Sequence, residues 1–103
     1  MTSVPVNLTA LIRCKPRAHD TVLNALLDVG AYVKANEPGT LGYTVVRSDA
    51  DENLLVTQER FRDRAAMVAH NEGPGSKAFF AAAQHLLEEV TIVTGEEVLG
   101  PVT

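Results

Sequence analysis

Apolar and polar residues alternate from Val6 to Cys14, the two-residue period of a β-strand. Leu8, Ala10 and Ile12 fall on one side, and Asn7, Thr9, Leu11 and Arg13 on the other. Pro16 ends the strand. From about Ala18 to Ala35 the period lengthens, and Val22, Leu23, Leu26, Leu27 and Val33 share one helical stripe. Asp20 lies in the first turn and Lys34 in the last, where the helix dipole favours each charge. Glu37-Pro38-Gly39-Thr40 predicts a turn, because proline fixes φ and glycine accepts left-handed backbone. A strand from Leu41 to Arg47 follows, then a polar hairpin loop from Ser48 to Asn53. The next strand runs from Leu54 to Phe61, with Leu55, Thr57, Glu59 and Phe61 opposite Leu54, Val56, Gln58 and Arg60.

Asp63 predicts the N-cap of a short helix ending near His70, on which His70 shares a face with Ala66 and Met67. Gly73 and Pro74 break it. Ser76 is expected to cap a further helix whose Phe79, Phe80, Ala83, Leu86, Leu87 and Val90 keep the helical period. A last strand falls between Thr91 and Leu99. The order βαββαβ predicts a ferredoxin-like α+β fold, with one four-stranded antiparallel sheet and its helices on one face. The expected organisation is a single domain over residues 1–103 with its core at about 6–99. Both faces of the sheet carry apolar residues, so a second copy is expected on the face the helices leave bare, making a homodimer. The alternation alone does not say which side of the first strand meets the helices.

Composition removes several classes of function. The 103 residues carry a net charge of -4, and their nine Lys and Arg are scattered, so no footprint for nucleic acid is visible. Two Tyr, three Phe and no Trp leave little for a base-stacking platform. Cys14 is the one cysteine, which excludes an internal disulfide and fits a reducing compartment. The apolar runs are short, and no basic segment followed by an apolar one opens the chain. The expectation is a soluble, cytoplasmic protein with no membrane partner.

Candidate chemistry concentrates around His70, whose ordinary pKa lies near neutrality and whose place near a helix C-terminus favours imidazolium. A histidine there serves equally as a group satisfied by a backbone carbonyl or placed at a contact between copies. Glu59, on a strand between apolar neighbours, is partly buried in this reading, which would raise its pKa. It could also pair with Arg60, Arg62 or Arg13. Asn7 and Thr9 offer directed hydrogen-bonding groups to a substrate carbonyl or a bound oxygen species. Tyr43, Phe61, Phe79 and Phe80 would line a cavity, though at such spacing aromatics also serve simply as core. His19, His70 and His85 lie on different elements, and no metal-ligand spacing is present, so no metal is expected.

Glu37-Pro38-Gly39-Thr40-Leu41-Gly42-Tyr43, then Glu59-Arg60-Phe61-Arg62-Asp63, the alanine-rich turn into His70 and Lys77-Ala78-Phe79 together resemble the antibiotic biosynthesis monooxygenase family. The likeness runs from about Val6 to Leu99. It implies a dimeric α+β barrel in which each subunit keeps a small-molecule cavity between sheet and helices. Relatives include oxygenases and quinol-oxidising enzymes without metal or flavin, haem-degrading proteins, isomerases of small sugars or lactones, and domains with no established role. Family members often place a histidine at the position of His70, which strengthens its candidacy as a general base.

The chain also departs from the pattern. Where many relatives read Ser-Pro-His-Phe-Lys, it reads Gly73-Pro74-Gly75-Ser76-Lys77, without the second histidine. The tryptophan and proximal histidine of the haem-degrading branch correspond to His70 and Phe80, which disfavours haem degradation. The expectation is a cofactor-independent monooxygenase acting with dioxygen on a small phenol, quinol or anthrone-like compound. His70 and Glu59 are the catalytic candidates, and Asn7, Thr9, Tyr43, Phe61, Phe79 and Phe80 the substrate contacts. Two alternatives stand beside it: an isomerase using the same base, and a non-catalytic dimeric ligand-binding or accessory protein.

Overall fold

The alternation at the start of the chain becomes a central strand of the sheet. The computed structural model describes residues 4–102. It contains β1 (Val6–Cys14), α1 (His19–Asn36), β2 (Thr40–Arg47), β3 (Leu54–Phe61), α2 (Arg64–Asn71), α3 (Pro74–Ala83), a 3-10 turn (Gln84–Leu86) and β4 (Leu87–Glu96). The sheet is antiparallel with strand order β2-β3-β1-β4, and it forms the ferredoxin-like α+β fold.

Leu8, Ala10 and Ile12 of β1 point toward the helices and are buried, as are Leu55, Thr57, Glu59 and Phe61 of β3. Helix α1 lays Val22, Leu26, Val29 and Val33 on that surface. Leu27, expected in the same stripe, is 53% exposed, and Val29 takes the buried position. Because side chains alternate along a strand, the parity that buries Leu8 turns Asn7 and Thr9 to the opposite face. On that face β2, β3 and β1 align Val46, Val56 and Leu11 in one row, with Leu11 and Val46 more than a third exposed.

Two boundaries differ from the sequence reading. Helix α3 begins at Pro74 with Gly73 as its N-cap, not at Ser76, because proline at the first helical position needs no N–H partner. The Ser76 hydroxyl instead donates to the His70 carbonyl at 2.8 Å. Helix α3 also stops at Ala83, so Leu87 and Val90 lie on β4. A short apolar run satisfies helical and strand periods alike, and pairing with β1 from Cys14↔Leu87 onward decides it.

Glycines at the junctions serve close approach rather than unusual backbone, since no described glycine has positive φ. Gly39, expected to supply left-handed geometry to its turn, instead lets that turn press against α2: a Cβ there would lie 2.9 Å from the Ala66 Cβ. A Cβ on Gly73 would lie 2.8 Å from the Ala69 carbonyl oxygen, which is backbone and cannot swing aside. Gly73→Ala is therefore expected to destabilise the fold by about 1–3 kcal/mol. Gly95→Ala, with nothing within 4 Å of its Cβ, should stay within about 0.5 kcal/mol of the parent. Denaturant unfolding of both variants measures the contrast, and equal stabilities would contradict it.

Candidate active site

The short helix α2 exists because the Asp63 side chain accepts a hydrogen bond from the Ala66 N–H at 2.8 Å, capping its first turn. Its inward face carries Met67 and His70, the latter 4% exposed. His70 Nδ1 lies 2.7 Å from Glu37 Oε1, and Nε2 lies 3.1 Å from Glu59 Oε1. Each carboxylate is also held by a threonine: Thr57 donates to Glu59 Oε2 at 2.7 Å, and Thr40 to Glu37 Oε1 at 2.8 Å. The Phe61 ring packs beside the imidazole with centroids 5.3 Å apart, and Tyr43 lies at 6.3 Å.

Two carboxylates on one ring constrain its protons. An ionised carboxylate only accepts, so both contacts are hydrogen bonds when the ring carries both N–H groups, or when one glutamate is itself protonated. Burial pulls the imidazolium's pKa down, but the hydrogen bonds and charges of Glu59 and Glu37 outweigh it, and the His70 pKa ends above its ordinary 6.5. Burial, with the nearby Glu59 charge, pushes the Tyr43 hydroxyl well above the ordinary phenol range, so Tyr43 stays protonated. That hydroxyl donates to the Leu26 carbonyl at 3.3 Å.

Between sheet and helices lies a cavity of about 90 Å³, bordered by Glu59, His70, Tyr43, Phe79, Phe80 and Ser76 among others. Its remaining wall is mostly aliphatic, including Leu8, Ala10 and Ile12, with Thr57 and Asn71 as the polar exceptions. Five of the eight candidate residues thus meet at one place. Phe61 is fully buried beside His70 and is absent from the cavity wall. Asn7 and Thr9 are not brought there at all, because strand parity sends them to the far face. The Asn7 amide instead donates to Glu97 Oε1 at 3.0 Å. Glu59 meets none of its candidate arginines; Arg60 points the other way and binds Glu97.

Glu37 was missed by sequence reasoning. It sits inside a turn motif, where its neighbours Pro38 and Gly39 explain the backbone without reference to its side chain. The two carboxylates address opposite nitrogens of one ring, so they do not converge on a common point. Among the described residues, no group of three or more His, Cys, Asp and Glu side chains is arranged to hold a metal ion. No helix among them is long and apolar enough to cross a membrane.

Comparison with known proteins bears on the family and the fold. A family model described as "Antibiotic biosynthesis monooxygenase" matches residues 5–82. A Bacillus subtilis (strain 168) protein named "Putative monooxygenase YcnE" is 31% identical over 80 residues, covering 78% of this chain and 83% of the relative. A Caulobacter crescentus CB15 crystal structure, titled as a putative antibiotic biosynthesis monooxygenase, superposes with a TM-score of 0.87 at 26% identity, covering 94% and 92% of the two chains. The Pseudomonas aeruginosa protein PA3566 superposes with a TM-score of 0.86 at 25% identity, covering 96% and 99%.

The ion-pair cluster has a measurable pH signature. The His70 pKa is raised from 6.5, its unfolded value, so folding takes up a proton in the interval between the two values. The associated stability is fully present below 6.5 and is lost as pH rises through the folded pKa. The difference in unfolding free energy between the native protein and His70→Gln should therefore shrink from pH 6 toward alkaline pH, by no more than about 1.4 kcal/mol per pH unit. A difference that is flat with pH, measured by denaturant unfolding, would contradict the charged cluster.

Proposed function

The chain belongs to the antibiotic biosynthesis monooxygenase family, and from that membership we propose that it oxidises a small phenol or quinol with dioxygen, using no metal or flavin. The observation that carries this reading is a buried acid–base pair, Glu59 with His70, at one wall of a largely apolar cavity. The reaction needs no redox group from the protein because the substrate supplies the electrons. The Glu59–His70 pair takes the hydroxyl proton, and the phenolate reduces dioxygen. One oxygen atom then forms a bond to ring carbon. The O–O bond breaks, the second oxygen leaves as water with substrate-derived protons, and the product is a quinone. Tyr43 and Ser76 border the cavity in place of Asn7 and Thr9, and either would have to release its present acceptor, the Leu26 or the His70 carbonyl, to donate to a developing oxyanion.

Cavity size narrows the substrate. A volume of about 90 Å³ falls below the roughly 150 Å³ that holds a benzene in an engineered protein cavity. A single ring would therefore fill it and extend through its open side, and a three-ring anthrone is disfavoured. Oxygen uptake with a panel of hydroquinones and substituted phenols is expected, with anthrones slower. Glu59→Gln and His70→Ala should each lower kcat by about 100-fold or more. No uptake with any member of the panel would sink the assignment. Turnover persisting without dioxygen would assign the same pair to isomerisation, and a ligand-raised melting temperature without turnover would assign a binding role.

The functional unit in this reading is a homodimer in a reducing, cytoplasmic setting. The row Val46, Val56 and Leu11, with Val93 60% exposed nearby, supports a second copy on the bare sheet face. Sedimentation equilibrium should give a dimer, and Leu11→Arg combined with Val56→Arg should give folded monomers. A monomeric native protein would remove this part of the reading.

A further inference from the structure

Glu37 stands on the far side of His70 from the cavity. His70 borders both the cavity and a second cleft of about 310 Å³; Glu59 borders only the cavity, and Glu37 only the cleft. Tyr32, Asn36, Arg62 and Gly73 also border that cleft. Glu37 is the C-cap residue of α1, with φ -123° and ψ 81°, and the following Pro38 restricts it to such non-helical backbone. Its N–H donates to the Val33 carbonyl at 2.9 Å, and Thr40 holds its Oε1. The carboxylate that meets Nδ1 is thus fixed at the backbone and at its head.

We propose that Glu37 is a positioning residue for proton transfer in the cavity: from the cleft side it fixes the ring of His70 and holds its Nδ1 proton, so that Nε2 presents an N–H to Glu59 and the cavity's base is the Glu59 carboxylate rather than the imidazole. This rests on the reading of Glu59 and His70 as the acid–base pair. Its logic is the proton inventory of the ring. With Nδ1–H committed to Glu37, an imidazolium uses its second N–H on Glu59, and the ring has no lone pair left to accept a substrate proton. Without Glu37, a neutral ring with a free nitrogen becomes the competing base.

No other group facing the ring takes over this task. Tyr43 on β2 lies tilted to the ring with centroids 6.3 Å apart and commits its hydroxyl to the Leu26 carbonyl. Phe61 on β3 is apolar. Ser76 on α3 lies 3.5 Å from Nε2, on the Glu59 side, and donates to the His70 carbonyl. Arg62, across the cleft, lies 3.6 Å from Asp63 and has a side chain 63% exposed.

Histidine-labelled NMR tests the proposal without any substrate. Three ring systems, His19, His70 and His85, are expected, and His70→Gln assigns the middle one. In the native protein His70 should titrate above 6.5. In Glu37→Gln, nearly isosteric but uncharged, its pKa should fall and its Nδ1 proton should lose the downfield shift of a carboxylate-bound N–H. In Glu37→Asp, which keeps the charge at a longer distance, the fall should be smaller, and this variant carries the test if Glu37→Gln does not fold. Where turnover is measurable, Glu37→Gln should lower kcat about tenfold with little change in KM, and shift the pH profile with the His70 titration. A folded Glu37 variant in which His70 titrates as in the native protein overturns the proposal. Absence of oxygen uptake by the native protein, with the NMR shifts as expected, would instead remove the oxidative reading and leave the positioning role standing.

Discussion

The structure depends on one electrostatic constraint: a ring buried between two carboxylates must have protons to share with both. Glu37, His70 and Glu59 arrive from a turn, a helix and a strand, so the contacts tie together three parts of the fold. Desolvating such charges is expensive, and their attraction offsets the cost only when the remaining lone pairs are also satisfied. Here a threonine serves each carboxylate, Thr40 from three residues beyond Glu37 and Thr57 from the same strand face as Glu59. Removing one member strands a buried charge, a loss of about 3–5 kcal/mol in comparable pairs.

The first three strands and the first helix were legible because their apolar periods are long and unambiguous. The buried face of β1 was not, since Leu11 on one side competes with Leu8 and Ile12 on the other, and only the seating of α1 decides between them. The misplacement of Asn7 and Thr9 as substrate contacts follows directly from that ambiguity. At the other end, Leu87 and Val90 satisfied a helical stripe that the chain abandons at Ala83. The element order supplied the ferredoxin-like fold and the resemblance strengthened the candidacy of His70, but neither supplied the partners of that histidine.

Those partners illustrate the limit more sharply. Glu59 was legible as buried, because alternation places it between Thr57 and Phe61 on the inner face. Its expected arginine partners were wrong for a geometric reason: Arg60 is its sequence neighbour and so points to the opposite side of the sheet, where it meets Glu97. Glu37 sits 33 residues from His70 and was concealed by a turn motif whose backbone logic was already complete without it. Long-range pairing of polar groups carries no period, and a single sequence offers nothing equivalent to the apolar stripe that announces a helix.

Geometry also gives the cavity a direction. Helices α1 and α3 cover the inner surfaces of β1 and β3, but β4 is less covered, so Val90 and Ile92 border the cavity while remaining 37% and 55% exposed. Phe80, 44% exposed and edge-on to Phe79 with ring centroids 5.2 Å apart, stands at the same side. The mouth is therefore apolar and the interior ends at Glu59 and His70. An amphipathic ring would be sorted by that gradient: burying its hydrocarbon edge at the mouth is favourable, and its hydroxyl would find ionisable hydrogen-bonding partners at the far wall. For the proposed phenol or quinol, orientation would thus be set by desolvation before any specific contact is made, bringing the acidic proton toward Glu59, the buried carboxylate that borders the cavity.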